Sequence, residues 1–174
     1  MKSATANEPQ LRAAIALAMA GAPDEAEAIV RKLRTVRPED TLLHGAYLPV
    51  ADAAVQLRRD RPDAAIDALR AAAPYERGMV AALVPAYIRG EARLRRGAAA
   101  DAIRDFQTVL DNRGADPFSP LIPLSQLGIA RALSLEGNTA ESRRAYEMVW
   151  KTWEHADPDL PILVAARKEY AQLR

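Results

Sequence analysis

The sequence predicts an all-α fold: an array of stacked helix hairpins closed by a capping helix. Three observations predict it. First, 37 of the 174 residues are Ala and aromatics make up only 5 %. A chain rich in Ala, Leu, Arg and Glu, with few β-branched runs, favours helix over strand. Second, one pattern occurs four times. The turn residues Gly21, Asp60, Gly97 and Gly137 stand 39, 37 and 40 residues apart. Five positions after each comes a small residue: Ala26, Ala65, Ala102 and Ser142. Four later comes a larger apolar one (Val30, Leu69, Phe106, Tyr146), and three later Leu33, Ala72, Val109 and Val149. Third, a lone hairpin of two amphipathic helices cannot bury its own apolar face, so such copies need one another.

The elements follow in order. Residues 1–7 are expected to be disordered. The Ala-rich start is broken by Glu8, Pro9, Gln10 and Arg12 before a leader-type apolar core can form, so it reads as an ordinary first helix. Four hairpins are predicted at 8–38, 39–77, 78–116 and 117–156. Their first helices are Glu8–Ala20, Thr41–Arg59, Met79–Arg96 and Ser119–Glu136. Their turns and second helices occupy 21–38, 60–77, 97–114 and 137–154. In the fourth, Gly137 supplies the left-handed residue that ends one helix, and Asn138 or Thr139 can cap the next. Three first helices contain an apolar-Pro-apolar step at Pro49, Pro85 and Pro123. Proline lacks the amide proton and crowds the carbonyl four residues back. Pro123 lies close to a cap at Ser119, whereas Pro49 and Pro85 predict kinks or short breaks. Such steps either add a loose turn that adjusts packing or reshape a ligand surface. Residues 157–173 form the capping helix, with Asp157–Pro161 as its start signal and Ile162, Ala166 and Tyr170 on one face. Arg167, Lys168, Glu169, Gln172 and Arg174 form its polar side. Trp150 and Trp153 are the surfaces it covers, or else an aromatic ligand box.

From about Glu8 to Glu154 this pattern resembles the tetratricopeptide repeat (TPR). The small, large, small series lies on each second helix, Pro38 stands where the family often ends that helix, and Ala14, Ala53, Gly90 and Ala130 stand at the small position of the first helix. The copies exceed the family's period of about 34 residues, and most expected first-helix aromatics are missing. The resemblance implies a right-handed α-solenoid of antiparallel hairpins whose first helices line a concave binding face. The stretch Ser119–Leu173 is also similar to the carboxy-terminal TPR region of bacterial regulators, notably acidobacterial Ser/Thr protein kinases and winged-helix transcription regulators. Pro123–Ala132, Gly137–Tyr146 and Ala156–Pro161 carry the likeness. It implies that the chain is part of a larger signalling protein, in the cytoplasm or beyond a membrane-spanning segment.

Chemistry is sparse in the sequence. There is no Cys, and His44 and His155 have no ligand-spaced partner, so no metal or cofactor site is expected. No kinase, P-loop or nucleophile-elbow string occurs. The acid pairs Asp24/Glu25 and Asp157/Asp159 read as helix starts. A net charge of +1 argues against a nucleic-acid partner, and no apolar run is long enough to insert in a membrane. The expectation is a non-catalytic module that binds a protein or peptide. Its concave-face candidates are Tyr47, Val50, Ala54, Leu57 and Arg58, then Val84, Tyr87, Glu91, Leu94 and Arg95, then Leu124, Leu127 and Arg131. The tyrosines either contact a ligand or pack between helices. Val50, Ala54, Tyr87 and Glu91 replace the family's carboxylate-clamp residues, which disfavours chaperone tails. The stripe Arg89, Arg93 and Arg96 is expected to be solvated and paired with acids such as Glu91 and Asp101, with an acidic or phosphate ligand as the alternative. Self-association or a spacer role is the competing reading, and a helical enzyme a third.

Overall fold

The computed structural model describes residues 8–35, 39–76 and 83–173. Among them there is no strand. Nine α-helices occur: α1 Glu8–Ala20, α2 Pro23–Arg34, α3 Leu48–Arg58, α4 Pro62–Ala72, α5 Val84–Arg95, α6 Ala99–Asp111, α7 Leu121–Leu135, α8 Thr139–Thr152 and α9 Pro161–Gln172. The chain divides into two compact units between Ala92 and Arg93, inside α5. In the first, α1 packs on α2 and α3, α2 on α3, and α3 on α4. In the second, α7 packs between α6 and α8, and α9 rests on α8. The expected disordered residues 1–7, the helix-ending Pro38 and the helix start at Met79 lie outside the described residues.

One turn recurs at the four aligned positions. Gly21, Asp60, Gly97 and Gly137 have φ of 100, 56, 76 and 75°. At each, the turn residue's N–H bonds the carbonyl three back and the next N–H bonds the carbonyl five back. The fourth copy has Gly137 N–H to Ser134 O at 3.0 Å and Asn138 N–H to Leu133 O at 3.0 Å; the first has Gly21 to Ala18 at 3.2 Å and Ala22 to Leu17 at 2.9 Å. These bonds satisfy carbonyls that the helix end would otherwise orphan. Glycine enters the left-handed region without a Cβ clash, and a short acid such as Asp60 is the next best tolerated. The side-chain cap expected of Asn138 is not made. Asn138 occupies the capping position, but at ψ 68° its side chain makes no capping bond. Its carbonyl instead accepts the Ser142 N–H at 2.9 Å.

The three aligned series after the turns are all buried, none more than 4 % exposed. Each such Val or Leu contributes roughly 1.5–3 kcal/mol when withdrawn from water. The small positions permit close helix approach. Ser142 keeps its place because its Oγ donates to the Ala130 carbonyl at 2.8 Å. In the α6–α7 seam the approach is tighter still. A Cβ on Gly128 would come within 2.5 Å of the Phe106 ring.

The prolines are accommodated by three devices. The predicted Thr41–Arg59 helix is present almost end to end, but Leu43–Tyr47 is wound as a π-turn. There the Leu48 N–H reaches five residues back to Leu43 O. That wider turn makes room for the Pro49 ring, which in an α-helix would clash with the Gly45 carbonyl. Gly45 also lies under Tyr75, whose Cε2 would be 3.0 Å from a Cβ there. Pro85 is the second residue of α5 as described, where the missing N–H is an orphan anyway. Pro123 is the third of α7, and Ser119 Oγ accepts the Leu121 N–H at 3.4 Å as expected.

The capping helix is shorter than predicted. It begins at Pro161, because the residue before a proline is held extended and Leu160 has ψ 123°. Asp157 and Asp159 therefore lie in the preceding loop and not in the helix's first turn, which contains no acid. Asp24 and Glu25 do occupy the first turn of α2.

Candidate functional site

The first-helix candidates separate by burial. Val50, Ala54, Leu57, Tyr87 and Leu127 are core residues, with Val50 at 1 % and Tyr87 at 8 % exposure. They support the helices and present no surface. Tyr47 and Val84 are half-buried against the first unit's core, and Leu124 is half-buried in α7. Glu91 and Leu94 are half-buried, while Arg58 and Arg95 are exposed. Periodicity could not make this separation, because α3 is buried on nearly every side: Leu48, Pro49, Val50, Ala51, Ala53, Ala54, Val55 and Leu57.

The arginines are engaged. Arg59 Nη2 donates to both Asp24 and Glu27, at 2.7 and 2.8 Å, tying α2 to the end of α3. Arg34 pairs with Asp52. Two members of the basic stripe pair with acids. Arg89 holds Glu76 at 2.7 Å, and Arg93 holds Asp105 at 2.9 Å. The Asp105 side chain is only 5 % exposed, so Arg93 compensates a charge that burial would otherwise make costly. Only the carbonyl of Asp101 faces Arg93, at 3.5 Å.

Arg131, expected on the binding face, instead fastens α9. Its Nε and Nη2 donate to the two carboxylate oxygens of Glu169, both at 2.9 Å. Tyr146 Oη donates to the same carboxylate at 2.8 Å. Glu169 thus points inward and does not belong to the solvated side of α9. Burial alone would raise its pKa, but the hydrogen bonds from Arg131 and Tyr146 outweigh that and hold it below the usual range. Burial, then the Glu169 carboxylate, pushes the Tyr146 phenol upward. Tyr170 Oη donates to Glu147 at 3.0 Å, the Arg143 guanidinium lies 5.2 Å over the Tyr170 ring, and Arg143 also reaches the Leu173 carbonyl.

Tyr146, Trp150 and Tyr170 form an aromatic cluster. Tyr146 stacks on Trp150 at 6.0 Å, and Tyr170 meets both edge-on at 5.9 and 6.4 Å. Trp150 and Trp153 pack on the core as expected, yet both remain partly open. With Leu163, Arg167 and Tyr170 they line a cleft of about 570 Å³, and Glu154 stands on its wall. Among the described residues no group of His, Asp or Glu is arranged to hold a metal ion, and no helix is long and apolar enough to cross a membrane. No family model, no curated protein and no solved structure matches the chain.

Proposed function

We propose that the chain is a non-catalytic TPR-like repeat module that holds a protein segment against its first helices, as the regulatory arm of a bacterial signalling protein. The observation that carries this reading is the fourfold recurrence of one hairpin, down to the turn's hydrogen bonds and three buried positions per copy. Stacked hairpins of this kind present a repeated surface, and their characteristic use is to bind. A right-handed solenoid belongs to the same reading.

The binding residues are the first-helix candidates that keep accessible side chains. Tyr47 and Arg58 are the principal pair in the first unit, with Glu91; Leu94 and Arg95 serve in the second. Tyrosine contributes area and arginine contributes directional donors, the composition that dominates protein interfaces. Selection of a random displayed-peptide library against the full chain tests this. The expected result is a shared peptide motif whose binding falls at least tenfold in Tyr47→Ala/Arg58→Glu, with unchanged helix content by circular dichroism. Binding that persists in this variant would overturn the site, and failure to enrich any motif would overturn the reading.

A further inference from the structure

Phe118 is 95 % exposed. It sits between Pro117 and Ser119 in the segment Ala115–Pro120, which joins the 3₁₀ turn after α6 to α7. A phenyl ring left wholly in water forgoes the burial that normally stabilises it, so it is a natural anchor for association. The same unit carries the aromatic cleft of Trp150, Trp153, Leu163 and Tyr170. The two are also complementary in charge. The loop bears one anion, Asp116, and the 3₁₀ turn before it one cation, Arg113; the cleft wall bears one anion, Glu154, and one cation, Arg167. Arg167 spends only Nη1 on the Pro158 carbonyl, at 3.0 Å, which leaves other donors for a carboxylate.

We propose that Phe118 of one copy seats in the Trp150–Trp153 cleft of a second copy, with Asp116 meeting Arg167 and Arg113 meeting Glu154. The cleft's 570 Å³ accommodates a phenyl ring with the adjoining Pro117. One aromatic anchor buries about 150–250 Å², well below the roughly 1,200 Å² of a stable interface. The association is therefore weak and concentration-dependent. This goes beyond the peptide-binding reading and rests on different residues.

The chain has two tryptophans and both line the cleft, so tryptophan emission, excited selectively over the five tyrosines, reports on it. As the wild-type protein is concentrated from the micromolar to the millimolar range, emission should shift to the blue and the sedimenting mass should rise. Phe118→Ala, a change at an exposed position, should weaken both responses at least tenfold. Trp153→Ala and the rim variant Arg167→Glu should each lose self-association, whereas mixing either with Phe118→Ala, which keeps an intact cleft for the other copy's Phe118, should restore a one-sided contact; mixtures as weak as the separate variants would overturn the proposal. Wild-type and Phe118→Ala proteins with the same mass and emission at every concentration would overturn the proposal. Binding of the peptide Ala115–Pro120 by a chain that stays monomeric would overturn it as well, and would assign the cleft to a segment of another protein.

Discussion

Two seams in the second unit are built on different physics. The α6–α7 seam is apolar and shape-matched: Phe106 is fully buried against the bare backbone of Gly128. The α9 seam combines an apolar and aromatic contact with charged and polar ties. That helix buries only Leu163 and Ala166, and is fastened by Glu169 to Arg131 and Tyr146 and by Tyr170 to Glu147. An apolar seam is insensitive to pH and gives way with the whole unit. A seam held by a carboxylate is sensitive to protonation and opens separately. The array's interior and its end should therefore differ in stability and in response to acid.

The largest expected effect is on the apolar seam. Phe106→Ala should destabilise by about 3–5 kcal/mol, read from the urea midpoint, because the hole left between α6 and α7 cannot collapse onto Gly128. A cost under about 1 kcal/mol would mean that the seam is loose.

Next comes the α9 seam. Glu169→Gln should loosen α9 by about 1–2 kcal/mol, a figure discounted because the Arg131 and Glu169 side chains are 26 and 36 % exposed. The pH dependence has a definite sign. The pKa of Glu169 is lowered in the folded chain, so its contribution is present above the ordinary value of 4.5 and is lost as pH falls through the lower folded value. That of Tyr146 is raised, so its contribution is present below 10.0 and is lost as pH rises beyond it. Near-ultraviolet dichroism of the Trp150–Tyr170 cluster should follow α9 undocking in acid, and Glu169→Gln should remove most of that acid response.

The smallest effects compare the four turns. Gly137→Ala, forced to keep φ at 75°, should cost about 1 kcal/mol, whereas Asp60→Gly, relieved at φ 56°, should gain a few tenths. Thermal melts of the two variants should move in opposite directions.

The turns and the three buried series were legible in the sequence because each is a local constraint repeated four times. Gly137 and Phe106 announce themselves by register alone. The exposure of the first-helix candidates was not legible in the same way. Leu57 and Arg58 are neighbours with similar claims to a groove, yet one is buried and one exposed, because an interior helix has apolar partners on several sides. The π-turn was legible only as a disturbance near Pro49, because the sequence does not distinguish a kink, a break and a wider turn. The Arg131–Glu169 pair spans 38 residues and leaves no local signature. Its one hint is that Glu169 adjoins Tyr170, a member of the apolar face of α9.

Residue-resolved amide hydrogen exchange tests the contrast between the seams most directly. The amides of α9 should exchange through an opening of lower free energy than those of α7 and α8, and Glu169→Gln should lower it further while leaving α1–α4 unchanged. Exchange of α9 at the same free energy as α7 and α8, in both wild type and variant, would contradict the account.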